Sequence, residues 1–419
     1  MVRTFSFVTE LHVPRFFTGM AVVFCLTWPL LADPWPAFRG PRCDGVSSET
    51  KPFPLKWSAT ENVAWATPLP GAGHSSPIVW NDRIFLTSCI EKTGERLLLC
   101  LNTDGKILWQ KLVVQSKLER KHKLNSYASS TPATDGQHVW VTFLDQPQIR
   151  IACYDFDGNQ VWNVSPGKFN SPHGFCSSPV LYKDLVIVNC DQDNQEAFIV
   201  AFDKRSGKEV WRADRPNRTR SYCVPLIVEA AGKTQMVLTG SKCTASYDPA
   251  TGKQNWIIQG PTEQFVAGVV YADDVFFITG GFPEHHILGV RPDGQGDVTD
   301  THILWRTTKA TSYVPSPVAH QGLFFIVSDE GIGSCFEPKT GKRYWSERIG
   351  KHTSASLVAA GGYVYCLDDS GATHVLRAGR SFEVVAKNDL KEECYATPAL
   401  SDGRIYIRTA TRLVCIGTR

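Results

Sequence analysis

The stretch LLLCLNTDGKILWQ, residues 97–110, contains the two features that decide the fold. An apolar run ends at an Asp-Gly turn, and Trp109 stands four residues beyond Gly105. Glycine supplies the positive φ that a short hairpin loop requires. The segment therefore predicts a hairpin of two strands, the second of which carries a large indole at a fixed place.

The Gly-x3-Trp spacing returns along the chain. Further copies are IACYDFDGNQVWN (Gly158, Trp162), IVAFDKRSGKEVWR (Gly207, Trp211), ASYDPATGKQNWI (Gly252, Trp256) and SCFEPKTGKRYWS (Gly341, Trp345). A fifth unit has an extended turn before Trp305, and a seventh has Val385 where Trp is expected. Self-similarity at a period of roughly 40–50 residues is the mark of a repeat architecture.

Each unit opens with a second signal, typified by HSSPIVWNDRIFLTS: a Pro-headed apolar run, a tight turn and another alternating run. This pattern predicts a strand, a hairpin and a strand. Eight such openings occur, at residues 74–88, 129–143, 176–189, 222–240, 265–280, 314–329, 353–369 and 395–409. Together with the strand pair that carries the Gly-x3-Trp turn, each unit is predicted to be a sheet of four antiparallel strands.

The eighth unit lacks its fourth strand, because the chain ends after RLVCIGTR. The segment ENVAWATPLP (61–70) stands alone before the first opening and carries Trp65. Ring closure explains both, with the N-terminal strand completing the last sheet. The sequence thus predicts an all-β fold, an eight-bladed β-propeller over residues 61–419, closed by an N-terminal strand. A β-sandwich needs neither eight similar units nor a split one.

A large ring at one place in each blade can fill the wedge between neighbouring blades. Burial of such an indole is worth a few kcal/mol, since truncating a core Trp costs about 3–5 kcal/mol. The predicted blade-docking residues are Trp65, Trp109, Trp162, Trp211, Trp256, Trp305 and Trp345.

The N-terminus reads as a targeting segment followed by an arm. Arg3 and Arg15 precede the apolar stretch 16–32, which predicts a signal peptide over residues 1–32. An uncleaved anchor is the alternative. This segment predicts an exported protein with no integral membrane span after cleavage. Residues 33–60, rich in Pro, are predicted to form an irregular arm over one face or the outer rim, anchored by Trp35, Phe38 and Trp57.

Composition excludes several classes of function. The net charge of +3 argues against a nucleic-acid partner. The basic run KLERKHK, residues 117–123, is predicted to be a solvated loop. The 13 cysteines include no CxxC and no adjacent pair, and Cys100 and Cys153 stand at core positions. Disulfide connectivity stays open, and zinc-type ligand spacing is missing from the sequence.

Residues just before each first strand should line one mouth of the propeller's central channel. Aromatic and His side chains at such a rim suit contact with a protein or a small ligand. An alternative role for each is to cap the core where a strand begins. The candidate interaction rim consists of His74, Tyr127, His173, Tyr222, Tyr313, His352 and Tyr395, with Phe175 and Phe265 at equivalent places.

Two further groups of residues contain side chains of the types that bind metal ions. Asp191, Asp193, Asn194 and Glu196 could hold Ca²⁺, but the loop lacks the Gly and Glu positions of an EF-hand and is predicted to be a solvated polar turn. His285 and His286 are adjacent, and neighbouring residues of a strand point to opposite faces, so they make a poor metal pair. No metal site and no catalytic residue is predicted.

The chain resembles the pyrroloquinoline quinone (PQQ)-like propeller repeat family, whose repeat reads roughly Ala-x-Asp-x-x-Thr-Gly-Lys-x-x-Trp. The segments 201–211, 248–256 and 340–345 match that pattern closely. The resemblance extends over about residues 61–416, and WPAFRGPRCDGVSSE (35–49) is similar to a secreted, BamB-like bacterial group. This resemblance implies an exported protein of the periplasm or cell envelope of a bacterium. Fold alone does not fix function.

The resemblance implies two kinds of function. One is that of BamB, a non-catalytic scaffold of outer-membrane protein assembly, with other envelope proteins as partners and no cofactor. The other is that of the PQQ-dependent quinoprotein dehydrogenases, which need a catalytic Asp, Ca²⁺ held by Glu, Asn and Asp, a vicinal disulfide and a flat aromatic floor. This chain is shorter and has no Cys-Cys, so none of those residues can be assigned. A scaffold is the preferred hypothesis, and PQQ with Ca²⁺ the alternative.

Overall fold

The computed structural model describes residues 34–193 and 196–418, together with Met1, Val2, Thr4 and Phe5. The described residues from 34 onward all belong to one compact unit. Apart from the four residues named, the predicted signal peptide lies outside the described residues. In the part of the chain that the structure describes, no helix is long and apolar enough to cross a membrane.

Regular structure in the described ranges consists of strands alone, in eight separate sheets. Blade 1 comprises β2 (Ile78–Trp80), β3 (Arg83–Ile90), β4 (Glu95–Asn102) and β5 (Ile107–Gln115). Blade 2 comprises β6 (Ala133–Thr134), β7 (His138–Asp145), β8 (Gln148–Asp155) and β9 (Gln160–Val164). Blade 3 comprises β10 (Val180–Tyr182), β11 (Leu185–Cys190), β12 (Phe198–Asp203) and β13 (Glu209–Asp214).

Blades 4 to 6 follow in the same order. Blade 4 comprises β14 (Leu226–Ala230), β15 (Lys233–Gly240), β16 (Cys243–Tyr247) and β17 (Gln254–Gln259), with β21 (Gly296–Asp297) added at its edge. Blade 5 comprises β18 (Val270–Ala272), β19 (Val275–Gly280), β20 (His286–Val290) and β22 (Ile303–Thr307). Blade 6 comprises β23 (Val318–His320), β24 (Leu323–Val327), β25 (Ile332–Phe336) and β26 (Arg343–Arg348).

The last two blades complete the ring. Blade 7 comprises β27 (Val358–Ala360), β28 (Tyr363–Leu367), β29 (Ala372–Arg377) and β30 (Val384–Asp389). Blade 8 comprises β31 (Ala399–Ser401), β32 (Arg404–Arg408), β33 (Arg412–Ile416) and β1 (Val63–Pro68). The molecule is the eight-bladed β-propeller that the repeats predict.

The predicted closure by an N-terminal strand is confirmed. Strand β1 pairs antiparallel with β33, so that Trp65 faces Cys415 and Thr67 faces Leu413. Blade 8 therefore obtains its outer strand from the opposite end of the described propeller, and no blade face is left open at that junction.

The core lies between neighbouring blades. One cluster joins blade 1 to blade 2 and includes Phe85, Leu98 and Val141, all fully buried. Another joins blade 2 to blade 3 and includes Trp140 and Val188. Apolar side chains alternate along the twisted strands, so both faces of a blade can bury them against a neighbour.

Six of the seven predicted blade-docking tryptophans donate their indole N–H to a carbonyl in the turn of the next blade. The pairs are Trp65–Thr103 (2.8 Å), Trp109–Phe156 (2.9 Å), Trp162–Lys204 (3.0 Å), Trp211–Pro249 (3.1 Å), Trp305–Pro338 (2.7 Å) and Trp345–Gly379 (3.1 Å). In five of these six junctions the Gly of that next turn lies against the same ring, so that a Cβ atom on Gly252 would be 2.5 Å from Trp211, whereas Gly379 has nothing within 4 Å of an added Cβ atom. The Gly and the Trp of each repeat thus serve two different junctions.

Trp256 departs from this pattern. Its indole donates to Oε1 of Gln235 at 2.8 Å within its own blade, and the side chain is fully buried. The extended turn of the fifth unit folds back over it, because β21 pairs in parallel with β17 opposite Trp256 and Ile257. Gly294 of that turn still lies next to the ring.

The arm, residues 34–60, contains no strand and is held to the ring by isolated bridges, including Trp35 to Val79 and Val46 to Ala359. Trp35 and Trp57 are buried, whereas Phe38 is half-buried. Trp57 lies in the cluster shared by blades 7 and 8, stacked on Tyr365 at 6.5 Å. This is the junction where the repeat carries Val385 instead of Trp.

Candidate functional site

The two ends of the propeller differ in what they carry. The mouth face is defined here as the end with the connections from each outer strand to the next inner strand, for example residues 116–132, and the loops between second and third strands. The turn face is the opposite end, with the first hairpin turns and the Gly-x3-Trp turns. Since neighbouring strands are antiparallel, all seven predicted rim residues lie on the mouth face.

The arm lies on the turn face and is bonded to several inner strands. Trp35 exchanges backbone hydrogen bonds with Val79 of blade 1 (2.8 and 2.9 Å), and the carbonyl of Pro36 accepts from Thr134 of blade 2 at 2.8 Å. Two blades away from blade 1 in the closed ring, the carbonyl of Gly45 accepts from the backbone N–H of Ala359 of blade 7 at 2.8 Å. Residues 35–45 therefore cross the turn face and link the inner strands of blades 1, 2 and 7.

Arg39 is the deepest charged residue of the arm. Its side chain is 1% exposed, and Nη2 donates to the carbonyls of Asp44 and Pro317. Burial lowers the pKa of Arg39 to about 10. The guanidinium fixes the arm to blade 6 through backbone oxygens.

A belt of hydroxyl groups, which were not among the predicted site residues, links neighbouring blades at five of the eight junctions around the channel. The backbone N–H at the head of one blade donates to the hydroxyl at the same place in the next blade. The pairs are Ser76–Thr131 (2.9 Å), Thr131–Ser178 (2.9 Å), Gly268–Ser316 (2.8 Å), Ser316–Ser356 (3.1 Å) and Ser356–Thr397 (3.0 Å). The Ser-Pro and Thr-Pro dipeptides at the openings were the available signal.

The rim residues that precede blades 3 and 4, His173 and Tyr222, are hydrogen-bonded to each other. Tyr222 is 8% exposed, and its hydroxyl lies 2.7 Å from Ser171 Oγ and 3.1 Å from His173 Nδ1. Burial lowers the pKa of His173, and the positive charge of Arg220 adds to the effect. Tyr127 is half-buried, with the Lys121 ammonium 5.0 Å from its ring centre. Tyr222 thus caps the core, as do the buried Phe175 and Phe265.

The remaining rim residues lie on the other half of the mouth. The His74 and Tyr395 rings are 4.7 Å apart. His352 is exposed and pairs with Asp369 at 2.7 Å. Tyr313 lies 6.1 Å from His285, and its hydroxyl donates to Gln264 at 3.4 Å. These contacts are pairwise, and none links a nucleophile to a base and an orienting acid.

The polar loop of blade 3 corrects one expectation. Asp191 was predicted to belong to a solvated turn, but it is fully buried and makes two hydrogen bonds to Arg215, at 2.9 and 3.0 Å. Asp193 pairs with Arg220 in a partly exposed place. Asn194 lies outside the described residues. Both aspartates are engaged by arginines, which leaves no free carboxylate pair for a cation here.

Among the described residues, no cluster of His, Cys, Asp and Glu side chains is available to hold the Ca²⁺ ion of a quinone centre. Such a centre needs several oxygen ligands close together. Between residues 34 and 193 and between 196 and 418, no three His, Cys, Asp or Glu side chains form a group that could hold a metal ion. Carboxylates at the mouth have other partners: Asp329 accepts the N–H groups of Tyr313 and Val314 at 2.7 and 3.1 Å. The twelve cysteines of the described ranges are free, and most are buried.

Acid is expected to destabilise the protein through His74. Burial lowers the pKa of His74 to about 4, and the positive charges of Arg408 and Lys121 add to the effect. The unfolded chain takes up this proton near pH 6.5, so stability is full above that pH and falls between 6.5 and 4, by up to about 1.4 kcal/mol per pH unit. Urea unfolding at several pH values gives the free energy of unfolding as a function of pH. Between pH 4 and 6.5 this free energy should change less steeply with pH for His74→Gln than for the wild type. The same pH dependence of the unfolding free energy in both proteins would show that His74 is not the source of the acid sensitivity.

Comparison with known proteins places the chain among PQQ-type propellers. The sequence model of a family described as "Outer membrane protein assembly factor BamB" matches residues 94–347, 294–378 and 334–416. No curated protein gave a significant sequence match.

Solved structures with the same fold include two functional types. BamB from Moraxella catarrhalis is 14% identical with a TM-score of 0.60, covering 84% of this chain and 96% of that one. Quinohemoprotein alcohol dehydrogenase from Comamonas testosteroni is 13% identical with a TM-score of 0.65, covering 92% and 81%. A europium-containing methanol dehydrogenase is 12% identical with a TM-score of 0.59, covering 91% and 90%. At these identities the likeness concerns the fold alone, whereas the family match extends over most of the sequence, and the chain belongs to the family described as outer membrane protein assembly factor BamB.

Proposed function

We propose that this protein is a non-catalytic, exported scaffold that binds another envelope protein at its mouth face. The observation that carries the proposal is that the arm occupies the turn face, bonded to blades 1, 2 and 7, while the mouth face presents the half-buried rings of Tyr127, Tyr313 and Tyr395. Aromatic side chains of this kind supply large contact area at a protein interface.

The absence of a connected catalytic group among the described rim residues supports a binding role. The polar atoms of His173, Tyr222 and His352 are paired with neighbours in ways that fix the loops. The family match and the likeness to BamB favour an envelope location and envelope partners. The net charge of +3 does not favour a nucleic-acid partner.

Crosslinking in the native envelope, followed by purification of the tagged protein, tests the proposal. A variant with Tyr127→Ala, Tyr313→Ala and Tyr395→Ala is expected to lose its crosslinked partner at an unchanged melting temperature. The matched control is Tyr182→Ala, Tyr271→Ala and Tyr344→Ala, which removes three half-buried tyrosines from the turn face. An unchanged crosslink in the mouth variant, or equal losses in both variants, would argue against this surface.

The competing function is that of a PQQ-dependent dehydrogenase, which the fold of two solved neighbours favours. Titration of the purified protein with PQQ and Ca²⁺, followed by absorbance and by dye reduction with alcohols, separates the two. The scaffold predicts neither saturable binding nor turnover. Stoichiometric binding with turnover would replace the scaffold by an enzyme.

A further inference from the structure

We infer that the basic half of the mouth face binds an acidic segment of a protein partner. The inference rests on the proposed scaffold function and specifies the chemistry of its partner. The surface concerned, called the basic crescent, consists of Arg120, Lys121, His122 and Lys123 in the connection between blades 1 and 2, with His173 and Arg220 beside them.

The connection is held in place, so its charges have fixed positions. The backbone N–H of His122 donates to the carbonyl of His173 at 3.2 Å, and Asn125 Nδ2 donates to the same carbonyl at 2.8 Å. Glu119 points inward, is 6% exposed and pairs with the buried Arg96. Glu119, the acidic residue of the segment 117–123, points into the core, whereas the neighbouring basic residues Arg120 and Lys123 are exposed. The segment is thus an anchored surface and not merely a solvated loop.

Positive charge on the crescent is left in excess. Glu119 is neutralised by Arg96, and Asp193 by Arg220. Throughout the described ranges, no ion pair within 4.0 Å includes Arg120, Lys121 or Lys123. Glu91 is a further carboxylate near Tyr127, and Lys92 follows it in sequence. The positive charges of Arg220, His122 and Arg120 all help to lower the pKa of His173, after burial itself.

The other half of the mouth has the opposite sign. Asp329, Glu330, Asp369 and Glu393 lie in the loops of blades 6 to 8, and Asp369 accepts from Ser354 and His352. A flat anionic bilayer that touched the whole face would meet both signs. A peptide segment can occupy the basic half alone and be repelled from the other, which fixes its position and direction. Charge complementarity therefore favours a peptide over a lipid surface.

The test uses the full protein and a short fluorescent peptide rich in Asp and Glu with interspersed Tyr, beside its Asn and Gln isostere. The acidic peptide is expected to bind, with an affinity that weakens as salt is raised, and the isostere is expected to bind at least about tenfold more weakly. Arg120→Glu, Lys121→Glu and Lys123→Glu together should weaken binding by about tenfold or more. The matched control, Lys106→Glu, Lys208→Glu and Lys253→Glu, reverses three exposed lysines on the turn face and should have no effect.

Equal binding of both peptides, or equal responses of the two charge-reversal variants, would overturn the inference. Binding to phosphatidylglycerol vesicles that is stronger than binding to the peptide, and lost on reversal of the crescent, would replace the acidic peptide by a lipid surface. If the envelope crosslink is lost in the tyrosine variant but survives reversal of the crescent, the scaffold stands and the acidic chemistry fails. Unchanged circular dichroism and melting temperature exclude unfolding of the variants.

Discussion

Replacing Asp191 with Ala is expected to lower the free energy of unfolding by about 3–5 kcal/mol. Asp191 and Arg215 are 0% and 1% exposed in their side chains, and their two hydrogen bonds measure 2.9 and 3.0 Å. Arg215 also donates to Tyr247 Oη (2.8 Å) and to the carbonyl of Gly240 (2.9 Å), and Ser221 donates to Asp191 at 2.7 Å. The truncation would leave a buried guanidinium without its counter-charge.

Asp193→Ala is the matched control, because Asp193 stands two residues further on and also pairs with an arginine, Arg220. Side chains of that pair are 31% and 22% exposed, and partly solvated pairs contribute about 0–1 kcal/mol. Denaturant unfolding followed by tryptophan fluorescence measures both variants. Equal losses would contradict the view that burial makes the Asp191 pair the stronger contributor.

Trp211→Ala is expected to cost about 3–5 kcal/mol, as for a buried Trp replaced by Ala. The ring fills the junction between blades 3 and 4, donates to Pro249 at 3.1 Å and is 8% exposed. Its other contact is Gly252, with φ of +71°, where a Cβ atom would lie 2.5 Å from the ring. Gly252→Ala should therefore be strained both by its backbone and by the clash.

Gly232→Ala separates these two costs. Gly232 has φ of +74° but nothing within 4 Å of an added Cβ atom, so it reports the left-handed backbone alone, about 1–2 kcal/mol. Gly252→Ala should cost more than Gly232→Ala in the wild type and about the same in the Trp211→Ala background. If the cost of Gly252→Ala does not change when Trp211 is removed, the two residues do not form one junction.

Most of the fold could be predicted from short sequence patterns. The glycine turns and Pro-headed strands repeat within each unit, so counting them gives the number of blades, and the unmatched strand with Trp65 predicts the closure. The partner of each Trp could not be assigned in the same way, because the indole bonds to a carbonyl about 40 residues further on, as Trp65 does to Thr103. That contact depends on how one blade sits on the next.

The structure departs from the predicted site mainly where a side chain interacts with a residue that is distant in sequence. Asp191 looked solvated because its polar neighbours are visible in sequence, whereas Arg215 lies 24 residues away and becomes its partner only when the blade folds. The rim residues could be located because each precedes the first strand of a blade. Their solvent exposure could not be predicted from that position. Tyr222 is buried by Ser171 and His173, while His352 is exposed. The hydroxyl belt also needs neighbouring blades side by side before its donors and acceptors meet.

The seam between β1 and β33 sets an order on biosynthesis. Residues 63–68 must wait unpaired until residues 412–416 have been made, since these two segments form one ladder. Until residues 412–416 have been synthesised, β1 has no partner strand and the ring of blades cannot close. The closed ring can therefore form only after almost the whole propeller has been synthesised, however early the first seven blades fold.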